Sequence, residues 1–151
     1  MNDGDKSPRR HLLIFQIGSL YYKIHRECDI IFREKEFPLE MDQLPVLLAL
    51  YYTYPEGTSQ QELGHRLQRD KASINRTVAF LSKKDIVKVI QDVTDKRKTR
   101  IELTATGKKL SAQADTILEK FNGFLASTLT EEERGRLNDL LPKLITTLDS
   151  L

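Results

Sequence analysis

Residues 59–107 constrain the fold of this chain more than any other stretch. They read as helix, tight turn, helix, then two short strands joined by a charged tip. Within residues 70–84, Ile74, Val78 and Leu81 recur on one helical face, while Ala72, Arg76 and Lys83 point away from it. Residues 86–90, Ile-Val-Lys-Val-Ile, have the β-branched character of a strand. Residues 98–103 read as a second strand. Between the two lies Gln-Asp-Val-Thr-Asp-Lys-Arg, a polar loop of hairpin size. A helix with a basic outer face followed by a basic hairpin suits duplex DNA. The helix can enter a major groove while the hairpin reaches the backbone or the minor groove.

The charge distribution points the same way. Net charge is only +2 over 151 residues. Yet residues 66–100 hold eleven Lys and Arg against four Asp and Glu, leaving thirteen against eighteen elsewhere. A basic block in an otherwise acidic chain is the footprint of a polyanion partner, unless it is only a solvated surface. An apolar share of 39% and a charged share of 30% fit one globular domain with a real core.

Other classes are disfavoured. One cysteine, Cys28, permits no intramolecular disulfide, and His11, His25 and His65 are too scattered for zinc spacing. No nucleophile–base pairing or phosphate-cradling glycine loop suggests an enzyme. The N-terminus lacks the order of a signal peptide, and no apolar run approaches a membrane span. The expectation is a reduced, cytoplasmic protein with no enzymatic activity, no cofactor, no metal and no membrane partner.

Along the chain, residues 1–9 look like a flexible tail. Residues 11–33 are helical in pattern, with Leu13, Ile17, Leu20, Ile24, Cys28 and Ile31 stepping by three or four. Phe37-Pro38 ends that helix. Residues 41–54 read as one second helix, with Leu44, Leu47, Leu48 and Tyr51 on its inner face and Pro45 near its start. Thr58 or Ser59 caps the next helix, with Glu62 completing a capping box. A helix opening at Thr104 carries Leu110, Ala114, Ile117, Phe121 and Phe124. After a break at 127–130, Thr130 and Glu133 form another capping box, and Leu137, Leu141, Leu144, Leu148 and Leu151 make a heptad seam. Pro142 should kink or break that last helix. The apolar helices at the two ends either pack together in a monomer or interlock with a second copy. A leucine seam running to Leu151 favours the second.

At these residues the chain resembles the MarR family of winged helix-turn-helix regulators. The wing carries most of the likeness: Asp95-Lys96-Arg97, then Ile101-Glu102-Leu103-Thr104-Ala105-Thr106-Gly107, against a family pattern of Asp-x-Arg and a Leu-Thr with glycine three residues on. Residues 58–63 match the family's first helix-turn-helix helix, residues 70–76 the start of its recognition helix, and residues 81–87 the segment that usually reads Leu-x-x-Lys-Gly-Leu-Val. Asp85 and Gln68 replace usual glycines, Asn75 a common threonine and Thr77 a common leucine. The resemblance implies a mainly α (α+β) winged helix-turn-helix. Residues 37–103 would read DNA, and residues 10–36 and 104–151 would form a helical dimerisation region.

The implied partners are double-stranded DNA, a second copy and a small-molecule effector. Arg76 is the first choice for a bidentate base contact, with Ser73, Ala72 and Asn75 on or beside the same face. Lys71, Ser59 and Gln60 suit phosphates. Arg97 resembles the family arginine that enters the minor groove, and Asp95 would pair with its fork. Lys96, Lys98 and Arg100 would release counterions. Tyr21, Tyr22, Tyr51, Tyr52 and Tyr54 either line an effector pocket or belong to core and interface. The function implied is a homodimeric repressor on a pseudo-palindromic operator. The alternatives are a winged-helix adaptor that does not read DNA, and a redox sensor using Cys28. The peroxide-sensing position of some relatives falls near Gln16 instead.

Overall fold

The structure, a computed structural model, describes residues 11–151. The expected tail, residues 1–9, lies outside the described residues. The order of elements is α1 (Leu13–Glu34), α2 (Leu44–Leu48), a π-helical turn (Ala49–Thr53), α3 (Gln60–Leu67), α4 (Lys71–Lys83), β1 (Val87–Gln91), β2 (Thr99–Leu103), α5 (Ala105–Ala126) and α6 (Glu131–Asp149). The chain divides into two compact units, Met1–Ala114 and Asp115–Leu151.

The core of the first unit comes from the periodic positions. Ile74, Val78 and Leu81 of α4 are buried, as are Leu63 of α3, Val87 of β1 and Ile101 and Leu103 of β2. Phe32, Leu39, Leu44, Val46, Leu47, Leu50 and Ile86 extend it. The sheet is an antiparallel pair in which Val87 faces Leu103, Val89 faces Ile101 and Gln91 faces Thr99. Thr58 adds a single bridge to Ile101, exchanging two main-chain hydrogen bonds at 3.0 and 2.7 Å. Gly57 makes this approach feasible. Its φ is +85°, and a Cβ there would stand 2.5 Å from Glu102 Cγ.

Three helices stop in the same way. Residues Glu36, Gln68 and Asp85 take positive φ of 53°, 51° and 57° after α1, α3 and α4. After α4, the Asp85 N–H donates to the Ser82 carbonyl at 3.0 Å and the Ile86 N–H to the Leu81 carbonyl at 2.9 Å. That is a Schellman stop, and buried Ile86 and Leu81 supply its apolar contact. Gln68 and Asp85 thus hold the left-handed backbone that glycine usually takes at these positions.

Several sequence expectations need correction. The expected helix over 41–54 begins at Leu44, and from Ala49 it widens to a π-turn that closes with the Tyr54 N–H on the Ala49 carbonyl at 3.0 Å. Its buried face is Leu44, Val46, Leu47, Ala49 and Leu50, while Leu48 and Tyr51 are half-buried. Of the stripe expected along α1 only Cys28 is buried, with Phe32 buried beside it. The capping box at Thr130 forms in full. The one at Ser59 forms in half: its Oγ accepts the Glu62 N–H at 3.1 Å, but the Glu62 carboxylate accepts the Tyr54 hydroxyl at 3.0 Å. Pro142 does not break α6, which runs through it to Asp149. The helix buries no residue, so the carbonyl deprived of its partner by proline lies on an exposed segment.

Candidate nucleic-acid interface

Helix α4 owes its start to Asp70. The Asp70 Oδ1 accepts the Ser73 N–H at 2.9 Å, and this bond is the main reason the carboxyl sits below its ordinary range. With Ile74, Val78 and Leu81 inward, Lys71, Ala72, Asn75 and Arg76 are exposed, and Ser73 and Thr77 are half-buried. The expected reading residues of the helix therefore share one outward surface, with Arg76 near its middle.

The wing rises from β1 and β2. Its loop is tied by main-chain bonds from Asp92 N–H to the Lys98 carbonyl at 2.8 Å and from Lys98 N–H to the Asp95 carbonyl at 2.9 Å. The Gln91 amide donates to the Lys96 carbonyl at 3.2 Å. Lys96, Arg97 and Lys98 are exposed. Asp95 does not pair with the Arg97 fork as expected. Its Oδ1 accepts the Arg97 main-chain N–H at 3.0 Å, and no ion pair joins the two side chains. With a single residue between them in a tight loop, the carboxylate is within reach of the nearer donor, which is the amide.

Between the start of α3, the start of α4 and the wing lies a groove of about 800 Å³. Ser59 and Gln60 line it from α3, Lys71 from α4, and Arg97, Lys98 and Arg100 from the wing. Six residues assigned to DNA from sequence thus meet in one concavity. Ala72, Ser73, Asn75 and Arg76 lie outside it on the face of α4, and Asp95 and Lys96 lie in the wing loop. A second hollow of about 570 Å³ runs along α3 and its turn, lined by Gln61, His65, Arg69 and Lys71 among others.

Gln61, His65 and Arg69 line this hollow without having been expected there from the sequence. The signal available was the helical spacing of 61 and 65 on the side away from buried Leu63. The Arg69 guanidinium also donates to the Asp42 carbonyl at 2.9 Å, tying the turn to the approach of α2.

Glu102 tempers the basic wall. It takes Lys88 at 3.1 Å and Arg100 at 2.6 Å, and the Lys88 bond is the main reason its carboxyl lies below the usual range. Elsewhere, Cys28 is buried, and burial is the chief cause that pushes its thiol up, away from the reactive thiolate. Tyr21, Tyr22 and Tyr52 are exposed, and Tyr51 and Tyr54 half-buried. Among the described residues, no group of three or more His, Cys, Asp or Glu side chains is placed to hold a metal ion. No helix among them is long and apolar enough to cross a membrane.

A helix pair with a tight turn, an outward second helix and a two-stranded wing define a winged helix-turn-helix protein. The MarR family model matches residues 39–99. The chain is 29% identical over 130 residues to the HTH-type transcriptional regulator BilQ of Clostridium symbiosum, covering 85% of this chain and 90% of that one. A MarR/EmrR family transcriptional regulator from Acinetobacter sp. ADP1 superposes with a TM-score of 0.80 at 28% identity, over 96% of this chain and 99% of its own. MepR of Staphylococcus aureus, solved as a complex with DNA, has the same fold: TM-score 0.80 at 22% identity, over 94% of this chain and 99% of that one. Residues 39–99 thus match the MarR family model, and over most of its length the chain is similar to transcriptional regulators.

Proposed function

We propose that this chain is a cytoplasmic homodimer that binds double-stranded DNA in a sequence-specific way and represses transcription from a pseudo-palindromic operator. The observation that carries the reading is the groove, in which Ser59, Gln60, Lys71, Arg97 and Lys98 converge beside the exposed Arg76 face. Arg76, with Ala72, Ser73 and Asn75, reads base edges, and Arg97 enters the minor groove. Ser59, Gln60, Lys71, Lys96 and Lys98 meet phosphates, which set register without carrying sequence information. Asp95 shapes the loop that presents Arg97.

The homodimer draws support from surface that a solitary chain would leave wet. Helix α6 buries no residue, and Leu137, Leu140, Leu141, Ile145 and Leu148 are all exposed on it. At the other end, Leu13, Ile14, Phe15, Leu20, Tyr21 and Tyr22 of α1 are exposed. Exposed apolar side chains in such number on a helix mark an interface. Two copies would address half-sites about one helical turn apart. A small-molecule effector would act by changing the distance between the two reading heads.

Selection of bound sequences from a random duplex pool tests the reading. The expected product is a two-fold symmetric motif. Recovery of no enriched motif from a chain that sediments as a monomer would overturn it.

A further inference from the structure

Asp92 carries the wrong sign for a phosphate contact, and its surroundings give it a different task. Its Oδ1 accepts the Thr94 N–H at 2.8 Å, the Thr94 hydroxyl at 2.6 Å and the Asp95 N–H at 3.0 Å. Its own N–H donates to the Lys98 carbonyl at 2.8 Å. One step along, the Asp95 Oδ1 accepts the Arg97 N–H. The hydrogen bonds therefore run in series from Asp92 through Asp95 to Arg97. The Arg97 side chain is exposed and joins no ion pair, so these main-chain bonds are what place it at the groove. A tip without them would have to be ordered at the moment of binding, at a cost in conformational entropy.

We propose that Asp92 is a positioning residue of the wing: it fixes the main chain of the tip so that Arg97 meets nucleic acid in a ready-made geometry. The inference rests on the DNA-binding reading above. Two effects compete at this carboxylate. Its charge repels a polyanion, so on charge alone its removal tightens binding. Its accepting oxygen holds the loop, so on geometry alone its removal weakens binding. Asp92→Asn removes the charge and keeps the oxygen, whereas Asp92→Ala removes both.

Fluorescence anisotropy with a labelled random-sequence duplex, over a series of salt concentrations, separates the two. Asp92→Ala is expected to bind about tenfold more weakly, with the log–log salt slope smaller by about 1. Asp92→Asn should recover the affinity of the natural chain or exceed it. In an Arg97→Ala background, Asp92→Ala should cause no further loss.

The inference is overturned if Asp92→Ala binds as tightly as the natural chain, if both variants weaken alike, or if the Asp92 and Arg97 effects simply add. Circular dichroism checks folding. Should Asp92→Ala fail to fold, Thr94→Ala removes one donor to the same oxygen and should give a smaller loss of the same kind; no loss overturns the inference. A natural chain with no salt-dependent binding would instead remove the DNA reading itself, and the inference with it.

Discussion

Gly107 lies against the main chain of Ile86 so closely that a Cβ on it would overlap the Ile86 carbonyl oxygen. The same carbonyl accepts the Thr104 N–H at 3.1 Å, and the Thr104 hydroxyl accepts the Gly107 N–H at 3.0 Å. The Leu-Thr-x-x-Gly pattern is thus a clamp. It starts α5 and pins that start to the residue where α4 ends and β1 begins. Gly107→Ala should destabilise the chain by about 1–3 kcal/mol through overpacking. Urea unfolding checks this, and an unchanged midpoint would contradict it.

The non-glycine helix stops make the opposite prediction. A left-handed residue with a Cβ costs about 1–2 kcal/mol, and Asp tolerates the conformation better than Glu. Glu36→Gly should therefore raise stability by about 0.5–1 kcal/mol, and Asp85→Gly by less. Thermal melting of both variants compares them. A fall in melting temperature for Glu36→Gly would show that its side chain contributes more than its backbone loses.

Arg76 and Arg97 should fail differently. Arg76→Ala is expected to relax preference at one base position, at a cost of about 1–3 kcal/mol. Arg97→Ala should weaken binding to all sequences and reduce the salt slope by about 1. Competition with single-base operator variants distinguishes them. Loss of selectivity from Arg97→Ala with none from Arg76→Ala would reverse the assignment.

The Asp92 carboxyl is held down to about 2, chiefly by the Thr94 hydroxyl and then by the Asp95 and Thr94 N–H groups. An unfolded Asp titrates near 3.9, roughly two units higher. The group therefore contributes stability that is present above that value and lost as pH falls through about 2. In an NMR titration, the Thr94 and Asp95 amide signals should hold from neutral pH through the ordinary carboxylate range and move only near the depressed value. Movement centred near about 3.9 would contradict the bonding.

Much of this architecture was legible in the chain. Ile74, Val78 and Leu81 repeat with the helical period, and residues 86–90 are β-branched on the buried and exposed faces alike, so α4 and β1 were found within a residue. The approach to α2 was not legible. The Met41 N–H donates to Asp29 Oδ1 at 2.8 Å, across twelve residues of sequence, and the Glu40 N–H donates to the Gln43 side chain at 2.8 Å. Such bonds hold residues 41–43 in a turn where local pattern reads helix. The π-turn at Ala49–Thr53 likewise has no periodic signature. In the site, basic residues announced themselves by charge. Glu102 did not, because Lys88 reaches it only across the folded sheet; Asp92 did not, because its bonds to Thr94 and Asp95 are local to the loop and carry no charge signal.

The affinity of this chain for a random-sequence duplex, followed as salt is raised, tests the central claim most directly. Each phosphate neutralised by a lysine or arginine adds about 0.9 to the steepness of the log–log plot. Two basic reading heads engaging one duplex should give a steep fall of several units. A flat plot, or no binding at low salt, would contradict the account.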